Sequence, residues 1–593
     1  MSNSASGDMV SVPSIASMAS MASGMSSEES EMPNIHRGVD AAVFMMWNNQ
    51  YEGALESLRA EKDRNPRYAL EWANVSLVKT LMSSTNEDRE KLLDLYKAAD
   101  SLSTSTKYNE PMFTDDDDDD DEEEEECMEK SRKQLKKEKK QNKKAFKARK
   151  KHAKKSGEFF DQTWKLECDV IYADALLMRS ICQLMMNSYI KGGINLRKAW
   201  GCYHSLIQIV EKDTENKIPK ELKMCIKYGT GTFYAFLALV PANLMKLLSI
   251  IGFISDKDLG EQYLTEVFES NTIRSPFAAL VLCTLYLFLP TGLGNVELTL
   301  SRANRILVTM NERYPKNTYF NGYANFYYRK KGEVVPAVKS ITLAAENAEK
   351  AGLVPLLIKY LYADTLFMNQ QWAEALVQYT KILDHLAKTK EKFAYTGQIV
   401  LSVAACYVMR NNDRDAMVWF KKVDSMYNPK SKNDSNSPKF AYRVISNPRL
   451  LPLAGVYMLY INRDLAHMNK EQGERVLSEL MRVTKDKDLT GPEAEHMYNL
   501  FVGVIKKGSE DIDAAFSYMN KIFDNEKKIP QDSMILPFAY YETAEMEFRR
   551  GNMKKSKELF EKGSRIKGDG NETLSNRYSI AMKQLRRAMD ERN

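Results

Sequence analysis

One spacing recurs along this chain: a small residue, a bulky apolar residue four positions later, and an apolar residue three after that. Ala303/Leu307/Met310, Ala337/Ile341/Ala344, Ala375/Tyr379/Ile382, Ala416/Phe420/Val423 and Ala515/Met519/Ile522 carry it. Ala54/Leu58 begins it near the N-terminus, and Ser556/Phe560/Gly563 is a weaker copy. Positions i, i+4 and i+7 share one stripe of an α-helix, and the small residue marks where a neighbouring helix crosses closely. Six or seven such stripes in one chain predict a stack of helical hairpins.

The anchors Ala303, Ala337, Ala375 and Ala416 are 34, 38 and 41 residues apart, with Pro315 and Pro429 after the hairpin ends. The first helices agree: Ala363 takes the small crossing position before Trp372, Ala404 before the next second helix, and Ala544, Phe548 and Gly551 form the best single copy. A period near 34 with this pattern resembles the tetratricopeptide repeat, here with lengthened connections. Only 18 Pro and 27 Gly in 593 residues leave room for long helices and disfavour an all-β fold. The expected fold is all-α, a tetratricopeptide-repeat-like solenoid (an α–α superhelix) of about ten to twelve hairpins.

Composition then divides the chain. Residues 1–37, rich in Ser and Met, lack periodicity and are expected to be disordered. Residues 38–100 read as N-terminal hairpins and 158–590 as the main solenoid. Between them, 101–157 reads as a disordered insertion: Asp115 to Glu126 are all acidic, and Lys130 to Lys155 hold fifteen Lys or Arg against the single acid Glu138. These blocks nearly cancel, which leaves a net charge of +5. The basic block could serve as an import signal or a patch for anionic lipid, but Phe146 is its only aromatic, so base stacking and nucleic-acid binding are not expected. Seven scattered cysteines without a CxxC pair fit a reducing compartment, and the first 33 residues carry no export signal, so a cytoplasmic location is expected, with a possible nuclear or lipid-droplet pool.

Two segments outside the ordinary repeats, Ser188 to Trp200 and Gly229 to Leu264, resemble the tetratricopeptide repeat protein 39 family, which includes the yeast inclusion-body clearance proteins. The resemblance covers roughly 38–115 and 158–590. It rests most specifically on Ile190, Lys191, Gly192 and Gly193, and on Gly229, Gly231, Phe233, Pro241, Gly252 and Phe253. It implies a non-enzymatic repeat protein linked to lipid homeostasis and inclusion clearance, with no catalytic residue to carry over.

Chemistry-bearing motifs do not compete with this reading. In GTGTF, Tyr234 stands where a dinucleotide loop needs its third glycine, and no GK[ST] follows, so Gly229 and Gly231 are read as close-packing positions. The six histidines form no HExxH, and Cys202 and His204, two apart, point to different faces of a helix. No cofactor, metal or small-molecule substrate is expected. The apolar runs Phe233 to Ile254 and Phe277 to Leu289 are each interrupted or short of the ~20 residues that cross a bilayer, and are read as buried hairpins. A lipid-droplet or membrane contact through 233–289 is the alternative. The expected function is a scaffold or adaptor for protein partners, holding an extended peptide or a helix in the concave groove of the superhelix.

Overall fold

The small–bulky–apolar stripes fold as helices that bury them. The structure, a computed structural model, describes residues 36–83, 86–106, 162–239 and 256–590, apart from 187, 289–292, 294–295, 354, 432, 463 and 570. These contain twenty-four α-helices and no strand. The N-terminal ones are α1 (Arg37–Trp47), α2 (Tyr51–Leu58), α3 (Pro66–Ser83), α4 (Asn86–Thr106), α5 (Gln162–Met185), α6 (Tyr189–Glu211) and α7 (Lys220–Leu239). Then come α8 (Lys257–Glu269), α9 (Ser275–Phe288), α10 (Val296–Arg313), α11 (Thr318–Lys331), α12 (Val334–Lys350), α13 (Leu356–Met368), α14 (Trp372–Thr389), α15 (Thr396–Met409) and α16 (Asp413–Met426). The C-terminal set is α17 (Ser437–Ser446), α18 (Ala454–Ile461), α19 (Lys470–Thr484), α20 (Pro492–Gly508), α21 (Ile512–Phe523), α22 (Ile535–Arg549), α23 (Met553–Ser564) and α24 (Asn571–Asp590).

Six of the hairpins turn in the same way. Asn49, Gly332, Gln370, Asn411, Glu510 and Gly551 all have φ between 57° and 83°, and each stands two residues before the second helix of its pair. The next amide in each turn reaches back five residues, as from Glu333 to Tyr328, Gln371 to Leu366, Asn412 to Tyr407 and Asp511 to Lys506. This satisfies a carbonyl that the helix end leaves open, in the manner of a Schellman cap. Asn and Gly suit the left-handed turn, and Gln370 and Glu510 adopt it at a cost.

Ala54, Ala303, Ala337, Ala375, Ala416, Ala515 and Phe560 are all fully buried at these crossings. The second helices α10, α12, α14, α16, α19, α21 and α23 bury one stripe and expose the other. The first helices are covered nearly all round: α15 and α18 expose no residue, α13 only Leu357, and α22 only Arg549. The architecture is therefore an inner layer of apolar helices sheathed by an outer layer of amphipathic ones. The aromatic cluster of α11 belongs to the core, with Phe320 and Tyr327 buried and Tyr319, Tyr323, Phe326 and Tyr328 partly buried against it.

The N-terminal hairpin is not a free leading repeat. Trp47 packs edge-on to Phe277 at 4.9 Å and lies 5.5 Å from Phe320. Asn317 donates to the Trp47 carbonyl at 2.7 Å, and Tyr319 Oη to the Val78 carbonyl at 2.6 Å. Helix α4 continues to Thr106, so it runs past residue 100, where the sequence pattern ended. It packs directly on α5, with Arg179 bonded to Asp100 at 3.0 Å and Thr106 beside Cys168. Residues 36–106 thus share buried clusters with α5 and with the helices from α7 to α13. Residues 1–35 and the whole of the acidic and basic blocks lie outside the described residues, whereas His36 and Arg37, counted with the head by composition, stand at the start of α1.

Candidate functional site

The densest polar feature of the interior sits where α1, α3, α5, α6 and the start of α9 meet. Arg67 and Glu71, one turn apart on α3, pair at 3.2 Å, and Arg67 Nε donates to Glu167 Oε1 of α5 at 2.6 Å. Arg274, just before α9 and only 2% exposed, donates to Glu71 at 3.1 Å and to Asp174 at 3.1 Å. Tyr203 Oη donates to the other oxygen of Asp174 at 2.5 Å, Asn74 donates to Glu71, and Tyr96 Oη donates to Asn74. His36 Nε2 lies 3.1 Å from Glu167 Oε1.

Two guanidinium groups thus face three carboxylates in an apolar interior. Burial alone would push Glu71 and Glu167 up, but Arg274 and Arg67 beside Glu71, and Arg67 with the hydrogen bond from His36 beside Glu167, hold both below the ordinary carboxylate range. Asp174 goes the other way: burial raises it, and the shared Arg274 offsets only part of that. The cluster clamps helices together across 100 and 203 residues of sequence. Beside it, a cavity of about 340 Å³ is lined by His36, Val39, Arg67, Tyr68, Trp164 and Glu167 among others.

Sequence reasoning singled out none of these charged residues, because each partner is remote in sequence. The one local signal was Arg274, a cation at the edge of the charge-free run from Phe277. What it did single out lies close by. Gly229 faces Tyr203: a Cβ there would sit 2.1 Å from the ring. Gly231 backs onto Leu264 and the Gly260 carbonyl, and Phe233 is buried and stacks on Trp200 at 4.5 Å. Gly192 packs against Leu184, and its carbonyl accepts from Ser180. Lys191 points outward, and a Cβ on Gly193 would meet nothing within 4 Å. Pro241, Gly252 and Phe253 lie outside the described residues.

A family model described as Iml2/Tetratricopeptide repeat protein 39 matches residues 40–509. The chain belongs to this family. Among solved structures, it is similar to the human IFIT1 dimer with PPP-AAAA, at 15% identity over 82% of this chain and 95% of that one, with a TM-score of 0.31. Yeast Tom70 matches at 10% identity over 93% and 96%, with a TM-score of 0.24. The complex of Naa15/Naa10 bound to HypK matches at 13% over 94% and 81%, with a TM-score of 0.23.

In this Iml2/tetratricopeptide repeat protein 39 member, helices remote in sequence are bonded directly to one another along the inner layer. Arg329 of α11 reaches Asp464, beyond α18, at 2.6 Å and Asp364 of α13 at 2.7 Å. Tyr460 donates to Glu542 of α22 at 3.0 Å, and Glu542 and Glu545 close on the buried Lys507 of α20. Trp372 bonds Glu479 of α19, and Arg482 bonds the Met409 carbonyl. The Leu293 amide is held by Gln584 of α24. Residues 450–460 are buried throughout.

Apolar burial also accounts for the described part of the 233–289 region. Phe233, Leu237, Leu282, Leu285 and Leu287 are core residues, and Phe288, 42% exposed, is the large exposed exception. No helix among the described residues is long and apolar enough to cross a membrane. No group of three His, Cys, Asp or Glu among them is placed to hold a metal ion. His204 lies by Gln208 and Trp200, not by Cys202. Among the described residues, two histidines are buried, His36 and His496.

Proposed function

We propose that this chain is a non-enzymatic adaptor whose protein partners dock on the outside of a helical-repeat body, with the first turns of α6 as a principal contact. The observation that supports this is the exposure of Tyr189, Ile190 and Ile194, at 61, 79 and 53%. Ile190 and Ile194 are four apart and share one helix face. Single exposed apolar residues are ordinary on a protein surface, whereas three together at one helix end are the usual mark of a binding surface. This turn also carries Ile190 to Gly193, the most specific part of the family resemblance. Lipid homeostasis and inclusion-body clearance, implied by that resemblance, are the settings in which such an adaptor would act, in the cytoplasm.

A second reading is a peripheral lipid contact through the same turn, favoured by the exposed Lys191, Arg197 and Lys198 beside the apolar tip. The double variant Ile190→Asp/Ile194→Asp separates the two. Because both side chains are already solvated, the variant should melt like wild type. The adaptor reading expects proteins cross-linked to wild type in cells to be lost while flotation with lipid droplets is unchanged. The lipid reading expects loss of flotation on droplets and on anionic vesicles. A variant that keeps both its cross-linked proteins and its flotation rules out this turn as the contact.

A further inference from the structure

Two glycines of α6 have no reason within the chain. Glycine weakens a helix interior relative to alanine, and elsewhere in this fold close packing accounts for it. A Cβ on Gly192 would sit 2.9 Å from Leu184, on Gly260 2.7 Å from Tyr234 and on Gly503 2.8 Å from Met519. Among the described residues, Gly193 and Gly201 are the helical glycines at which a Cβ would meet nothing within 4 Å.

Gly201 lies on the midline of the exposed face. Ile190, Ile194, Gly201, Ser205 and Gln208 follow one another at four, seven, four and three residues, so they share one line along the helix, and all are exposed. Leu196, Ala199, Tyr203 and Leu206 bury the opposite face. The midline of a solvated helix face ordinarily carries charge. Here it is apolar and open, and charge stands beside it: Arg197 and Lys198, three and four residues after Ile194, flank the line on its two sides. From Tyr189 to Val210, α6 holds Lys191, Arg197 and Lys198 and no Asp or Glu. Asp100 of α4, whose charge Lys198 also meets, is bonded to Arg179 at 3.0 Å.

These features select the partner. The backbone groups of a helix interior are spent on its own turns, so α6 offers no hydrogen bonds to an extended strand, and a partner must satisfy its own backbone. An open glycine in line with apolar side chains lets a second helix axis come close. A second copy of α6 crossing at Gly201 would set Arg197 and Lys198 against the same cations, so self-pairing is opposed. A lipid surface gains nothing from Gly201, which has no side chain to bury. The chain's own acidic block, Asp115 to Glu126, has the charge but no apolar residue to meet Ile190 and Ile194.

We infer that α6 is the dock for an acidic amphipathic helix of another protein, whose apolar stripe covers Ile190 and Ile194, whose backbone comes closest at Gly201, and whose carboxylates pair with Arg197 and Lys198. The inference rests on the reading of α6 as the contact surface and names the chemistry of what it holds.

The test is fluorescence anisotropy of the full chain with three labelled peptides, each about 20 residues long to match the line from Ile190 to Gln208. One has Leu at every heptad a and d position and Glu at e and g; the second has Lys in place of Glu; the third has the residues of the first in an order that scatters the Leu. The first should bind with Kd on the order of 10–100 μM, and the other two at least about tenfold more weakly. Gly201→Leu should leave the melting curve of the protein unchanged or raise it, since a Cβ there meets nothing, and should weaken the first peptide at least about tenfold. Arg197→Glu/Lys198→Glu should turn the preference to the Lys peptide. No binding of the first peptide, equal binding of the scattered one, or binding unchanged in Gly201→Leu would each overturn the inference. So would flotation of wild type and Gly201→Leu alike on vesicles of equal parts phosphatidylserine and phosphatidylcholine with no peptide bound, which names a lipid surface. Failure of the wider reading shows separately, because Ile190→Asp/Ile194→Asp would then keep its cross-linked proteins in cells whatever the peptides do.

Discussion

Gly229→Ala tests how tightly the N-terminal helices are fitted around the ion cluster. The new methyl would lie 2.1 Å from the Tyr203 ring, and neither partner has room to retreat, since Tyr203 is fully buried. Forcing extra volume into a packed core costs about 1–3 kcal/mol. If the ring swings away, the bond from Tyr203 Oη to Asp174 goes with it, and a hydrogen bond to a charged group contributes about 1.5–3 kcal/mol. Alanine returns about 1 kcal/mol of helix propensity over glycine. The net expectation is a loss of about 2–4 kcal/mol from these terms together. Because a repeat array opens in parts, the readout is hydrogen exchange of the α6 and α7 amides rather than a global melting point. In a Tyr203→Ala background the methyl has space, and the same Gly229→Ala change should become neutral or stabilising by up to about 1 kcal/mol. Equal losses in the two backgrounds would show that the clash is not the cause and refute the argument.

Arg274→Met should destabilise the region from α3 to α9 by about 3–5 kcal/mol, because it leaves Asp174 buried without a cation and Glu71 with Arg67 alone, and protease protection of those helices would report it. At the second buried cluster, burial and the nearby Asp364 push Asp464 up to about 7, with Arg329 opposing them. A carboxyl raised in the folded state contributes stability that is complete below its unfolded pKa and is lost as pH rises through the folded value. Denaturant midpoints should therefore fall between about pH 4 and 7, and Asp464→Asn should flatten that slope; an unchanged slope would remove Asp464 as its source. Glu510→Gly and Gln370→Gly, in left-handed turns, should each stabilise by about 0.5–1 kcal/mol by denaturant titration. Finally, fragments 1–115 and 156–593 expressed together should co-purify, since Arg67, Glu71 and Asp100 bond across the break to Glu167, Arg274 and Arg179; separate elution would show that the covalent link is required.

The hairpins were legible because helical packing is written locally. A buried stripe must recur at i, i+4 and i+7, and a close crossing demands a small residue, so Ala303, Ala337, Ala375, Ala416 and Ala515 announce themselves to anyone reading the chain in order. The left-handed turn residues were only half legible. Gly332 and Gly551 are the expected type, but Gln370 and Glu510 are not, and their conformation is imposed by the helices on either side.

The rest depended on which distant elements meet. Arg67, Glu71, Glu167, Asp174 and Arg274 look like ordinary surface charges until the fold buries them together, and nothing in the local pattern pairs residues 100 or 203 positions apart. The same holds for the inner layer. Amphipathic outer helices were readable as such, but which inner helices meet depends on the winding of the whole array, which brings Arg329 to Asp464 and Tyr460 to Glu542. Ile190 and Ile194 give the converse case, apolar residues that local chemistry would place inside and that α5 and α7, packed on the other side of α6, leave in water. Periodicity is a property of single helices and therefore of the sequence; burial of a charge, pairing of remote inner helices and exposure of an apolar tip are properties of helices in contact, and the tertiary structure alone decides them.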